Sequence, residues 1–135
     1  MIERFLEPIR DCLLDPLYGS YMAVVIPGDL DPFERHYGVS IHLDAELRLA
    51  RAGTSDGGGT LYFEADDESD EDEQSFTIID IDATDVARTR AILRLHLPEL
   101  GVPDGTLIQF GQREDRLEHG QWLLDQPRTV PDPFD

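Results

Sequence analysis

The sequence predicts an α+β fold: a small single domain with a mainly antiparallel sheet packed against one or two helices. Three observations predict it. Short apolar runs rich in β-branched residues, such as Tyr21 to Ile26 and Ser75 to Ile81, have the character of strands. One longer segment, Asp82 to His96, carries apolar residues at helical spacing. The strands follow one another in the chain with short connections, which favours antiparallel neighbours. A length of 135 residues suits one domain with one core. The expected domain spans 1–126, and 127–135 is expected to be an extended, Pro-rich tail.

Taken in order, residues 2–14 place Ile2, Phe5, Leu6, Ile9, Leu13 and Leu14 at helical spacing. Pro8 interrupts them, so this is either a kinked helix or a short one starting near Glu7. Tyr21 to Ile26 reads as a central strand, ended by Pro27 and Gly28. A helical turn is expected around Pro32 to His36, with Asp31 as its cap and Pro32 at the first helical position. Val39 to Leu43 and Glu46 to Ala50 alternate apolar and polar residues, the period of half-buried strands. Asp44-Ala45 between them would be a hairpin turn.

Residues 53–59, GTSDGGG, have the backbone freedom of a loop. Thr60 to Ala65 and Ser75 to Ile81 follow as strands, paired with each other if local connection rules hold. The helix over Asp82 to His96 has Thr84 or Asp82 as cap, and Asp85 favours its positive end. Its apolar stripe is Val86, Leu93 and Leu97, and Pro98 is expected to stop it. Asp104-Gly105 marks a turn and Thr106 to Phe110 a short strand. From Gln112 onward the pattern is less regular, with Trp122, Leu123 and Leu124 packing back on the body.

The composition excludes several classes of function. All eleven basic residues are arginine, against 29 acidic ones, for a net charge of −18. Such a surface repels nucleic acid and anionic membranes, both of which need positive neutralisation. It attracts basic proteins and speeds their encounter. No apolar run is long enough for a transmembrane helix, and the start lacks a basic leader followed by an apolar stretch. A cytoplasmic location is the expectation. Diffuse acid could equally reflect a proteome adapted to high salt.

The densest charge is EADDESDEDE, residues 64–73, in which eight of ten side chains are acidic. It lies between two expected strands, so it forms a charged loop on a folded body. The calcium-loop pattern of D-x-D-x-D-G with a closing Glu is missing. Asp80 and Asp82, two apart on a strand, point the same way, but acid–base catalysis also needs an enclosing pocket.

Other chemistry is sparse. His36, His42, His96 and His119 lack H-x-x-x-H spacing, and Cys12 lies between carboxylates that oppose thiolate formation. The glycine-rich loop leads into a strand and has no Lys, unlike a phosphate cradle. No catalytic residue, metal or cofactor is expected. The expected partner-binding set is Tyr62, Glu64, Asp66, Asp67, Glu68, Asp70, Glu71, Asp72, Glu73, Asp80 and Asp82. Tyr62 and Phe63 fall on opposite faces of one strand with Phe76 across the loop. One aromatic then presents itself beside the carboxylates, or all are core.

The strands 60–65 and 75–81, the helix 85–97 and the strand 105–110, carried on an acidic chain without catalytic groups, resemble immunity proteins of bacterial toxin systems, including those of contact-dependent inhibition. That resemblance covers about half the chain. It implies a non-enzymatic inhibitor whose partner is a basic protein, a toxin domain and often a nuclease, blocked in a tight complex. Rival readings are a mimic of nucleic acid, a salt-adapted domain without a dedicated partner, and an enzyme using Asp80, Asp82 or a histidine.

Overall fold

A computed structural model describes residues 20–63 and 74–129. The helix expected over 2–14, the acidic tract and residues 130–135 of the expected tail lie outside them. Among the described residues, six strands form one antiparallel sheet: β1 Ser20–Pro27, β2 Gly53–Phe63, β3 Gln74–Ala83, β4 Leu107–Phe110, β5 Arg113–Glu118 and β6 Gln121–Pro127. Their order across the sheet is β2-β3-β1-β4-β5-β6. A π-helical segment, Glu34–Ser40, runs directly into α1, Ile41–Leu49, and α2 spans Val86–Glu99. The α+β class expected from the sequence is therefore the observed one.

β1 lies inside the sheet, between β3 and β4, as its unbroken apolar run requires. Met22, Val24 and Ile26 face the helices and join Leu43 and Leu47 of α1 and Leu93 and Leu97 of α2 in the main core. Ala23 and Val25 face the other way, buried with Leu107 and packed by Leu61, Phe76 and Ile78. Among the described residues, no helical one belongs to that second cluster.

Residues 39–50 are helical, not a hairpin, which corrects the expectation of two strands there. The run contains both periods. Val39, Leu43 and Leu47, four apart, are buried, while Ile41 is 44% exposed and Leu49 79% exposed. Burial on the sheet selected the helical set, which carries Val39, Leu43 and Leu47 along one face of the whole segment. The start agrees with expectation: Asp31 Oδ1 accepts from Glu34 N at 2.8 Å.

Residues 53–59 are strand, not loop. Gly53 and Gly58 lie so close to β3 that a side chain on either would collide with backbone, of Asp82 and Ile78 respectively. Their missing side chains are what allow β2 to pair there. A bulge between Ser55 and Gly58 breaks the register.

The cap of α2 is Asp85, not Thr84 or Asp82: its side chain accepts from Arg88 N at 3.0 Å. Thr84 instead donates to the Arg51 carbonyl. Pro98 sits in the last turn, one residue before the helix ends.

The region after Gln112 forms two strands that the sequence reading left irregular. β4 and β5 are joined by Gly111-Gln112, with Gly111 at φ 56° in the glycine position of a type II′ turn. β5 and β6 are joined by His119-Gly120, at φ 52° and 73°, the pattern of a type I′ turn. β5 is hard to read because Glu114 and Asp115, adjacent and charged, are both fully buried.

Candidate functional site

The acidic tract joins two directly paired strands. Phe63 of β2 is opposite Gln74 of β3, so the tract leaves and re-enters the body at neighbouring points. β2 is an edge strand. Tyr62 belongs to β2, whereas Glu64, Asp66, Asp67, Glu68, Asp70, Glu71, Asp72 and Glu73 lie outside the described residues.

The loop after β1 meets the root of the tract. Gly28 N donates to the Ser75 carbonyl at 2.9 Å. Leu30 N donates to Thr77 Oγ1 at 3.0 Å, and Thr60 Oγ1 to Asp29 Oδ1 at 3.3 Å. These bonds hold Asp29 beside Thr60 of β2 and lead the loop along β3 from Ser75 to Thr77. The loop leads into Phe33 and Tyr37, which are 69% and 53% exposed. Their ring centroids are 4.7 Å apart, and the His36 ring stands edge-on to Tyr37 at the same spacing. The sequence offered a signal for this pair: on a helical turn, residues four apart share a face.

The other expected site residues sit elsewhere. Asp80 is six residues beyond Gln74 along β3, about 20 Å at the rise of a strand. Asp80 Oδ1 accepts from the Tyr21 hydroxyl at 2.7 Å. Asp82 is exposed on the same face, opposite Tyr21. Phe76 packs against the second cluster and is half-buried, so this aromatic is core.

Two buried carboxylates on β5 have their oxygens occupied. Asp115 accepts from Arg90 Nε and Nη2, from Arg94 Nη1 at 3.0 Å and from Asp125 N at 3.0 Å. Burial opposes its charge, but the Arg90 hydrogen bonds lead the effects that hold its pKa below the ordinary aspartate value. Arg90 also lies over the Phe110 ring at 3.9 Å, and the pairing with Asp115 raises its own pKa. Glu114, on the opposite face, accepts from Thr129 N and Oγ1, each at 2.8 Å, from Arg116 and from Gln109. Burial again opposes the charge, and Thr129 leads the bonds that lower the pKa. Carboxylates saturated in this way hold structure together and are poorly placed to move protons.

Among the described residues, no three His, Cys, Asp or Glu side chains gather to hold a metal ion. No helix among them is long and apolar enough to cross a membrane. No family model, curated protein or solved structure matches the chain.

Proposed function

We propose that this is a cytoplasmic, non-enzymatic acidic protein that neutralises a basic protein partner, such as a toxin domain, in an immunity or inhibitor role. The docking face is the end of the sheet where the tract emerges. One observation supports the reading: the loop that the Gly28–Ser75 bond ties to the root of the tract leads into the exposed Phe33–Tyr37 pair. Exposed aromatics supply affinity at protein interfaces, and surrounding charge supplies fast, selective encounter. The partner must be basic, because a net charge of −18 disfavours an acidic one.

The test is capture from solution at low and at moderate salt, with identification of what is retained. A basic protein held through Phe33 and Tyr37 is the expected result. Recovery of no basic protein at either salt overturns the proposal. A second reading is favoured by the position of β2: charge beside a glycine-rich edge strand keeps that edge from pairing with other chains. On that reading, neutralising the tract causes aggregation of the protein alone.

A further inference from the structure

A cavity of about 390 Å³ lies between the π-helical segment, α1 and the bulge of β2. Arg35, His36, Asp44, Arg48, Ser55 and Gly57 are among its lining residues. Its chemistry departs from that of the chain as a whole. In a protein with a net charge of −18, two arginines and a histidine line the cavity with one carboxylate, Asp44, among the described residues.

That carboxylate is already engaged. Asp44 Oδ2 accepts from Arg48 Nε at 2.9 Å, and Asp44 Oδ1 accepts from Ser55 N at 2.8 Å. Asp44 thus fixes the Arg48 guanidinium by one edge and pins the strand just before its bulge. Arg35 is half-buried, and its side chain makes no hydrogen bond or ion pair among the described residues. Ser55 is 8% exposed, and its hydroxyl is buried with no hydrogen-bond partner. Buried hydroxyls are almost always satisfied, and one left open toward a cavity marks a place for an acceptor.

We propose that this cavity binds the oxyanion head of a small ligand, a phosphate or a carboxylate group. Arg35 and Arg48 supply the charge, and the Ser55 hydroxyl donates a hydrogen bond to one anion oxygen. Guanidinium groups suit both heads because their paired N–H groups match two oxygens at once. The volume, near the lower end of the roughly 300–1,000 Å³ typical of ligand sites, fits a compact metabolite. Polyanions are disfavoured, since the acid over the rest of the surface would repel every further charge.

The experiment is an amide-resolved NMR titration of the whole protein with inorganic phosphate and, separately, malonate, each against sodium chloride at matched ionic strength. Saturable shifts at Ser55, Gly57 and Arg48 are expected with at least one of the two anions. Saturation by phosphate alone assigns a phosphate head, and by malonate alone a carboxylate head. Arg35→Gln is expected to weaken that binding about tenfold, the loss of one charge-assisted contact. Ser55→Ala is expected to weaken it a few-fold while signal dispersion shows an intact fold. Shifts that stay linear with both anions, or saturation of equal affinity in Arg35→Gln, overturn the proposal.

Discussion

Asp115, with no solvent exposure, receives two nitrogens of the Arg90 guanidinium, at 2.9 and 2.6 Å. This pair ties α2 to β5 across the helical face of the sheet. Arg94 adds a third bond to the same carboxylate, and its own carbonyl accepts from Trp122 Nε1 at 2.9 Å. β6, the neighbour of β5 in the sheet, is thereby fastened to the helix as well. Removing the carboxylate leaves two arginines facing a dry space. Asp115→Ala is expected to cost about 3 kcal/mol of stability, read as a lower urea midpoint with an unchanged slope. A loss under about 0.5 kcal/mol would contradict this account.

Stability is expected to fall in acid through Glu114 and Asp115. Both have folded pKa values below those of the unfolded chain. Their contribution is therefore complete above the unfolded values, about 4, and is lost as pH falls through that range toward the folded values. In that window the unfolded chain binds more protons, so the free energy of unfolding rises with pH and falls as the solution is acidified. Urea titrations between pH 6 and about 2.5 check this. Asp115→Asn should flatten the decline, because one of the two linked groups no longer titrates.

Glu114 depends on the residues that follow β6. Thr129 donates twice to it, and Arg128 donates to the Gly111 carbonyl at 2.7 Å and to Gln109 Oε1 at 2.9 Å. The start of the Pro-rich stretch is thus a strap over the face opposite the helices. Ending the chain at Pro127 is expected to destabilise it by about 2 kcal/mol, the cost of leaving a buried carboxylate short of donors. A melting temperature equal to that of the full chain would refute this role.

Gly58→Ala is expected to destabilise the β2–β3 pair by about 2 kcal/mol, since the new methyl meets the Ile78 carbonyl. Gly59, with open space around it, is the control: Gly59→Ala should change stability by less than about 1 kcal/mol. Hydrogen exchange at β2 amides distinguishes the two. Equal protection in both variants would rule out the close approach as the reason for glycine.

Once a basic partner is captured, the proposed docking face makes a kinetic prediction. Replacing the tract carboxylates by Ser or Asn should slow association and reduce its salt dependence, with little change in dissociation. Phe33→Ala with Tyr37→Ala should instead speed dissociation, at a cost of about 2 kcal/mol in affinity. Stopped-flow association and surface-based dissociation rates separate the effects. Identical rates in both sets of variants would place the interface elsewhere.

Part of this architecture was legible in the residues. Tyr21 to Ile26 read as a central strand, and Asp82 to His96 as a helix with an apolar stripe at Val86, Leu93 and Leu97. Asp31 declared its cap, and the span between Phe63 and Gln74 could only be a connection. The errors share a cause. Val39 to Leu49 satisfied two periods at once, and the choice fell to the sheet face available to it. Gly53 to Gly59 looked free because freedom was judged one residue at a time. β3 passes so close that glycine is the residue that fits. The stretch after Gln112 read as irregular, because the partners that allow Glu114 and Asp115 to be buried in a strand are at Arg90, Arg94, Arg116 and Thr129.

The sequence by itself determined the α+β class, the central strand, the main helix and the position of the acidic loop between two strands. These follow from local period and composition, which act within a few residues. Tertiary structure alone decided which aromatics after β1 reach solvent, which arginine lines a cavity with no bonded partner among the described residues, and which carboxylates are buried. Those outcomes depend on residues such as Gly28 and Ser75, or Arg90 and Asp115, which are far apart in the chain and meet only when the sheet has formed.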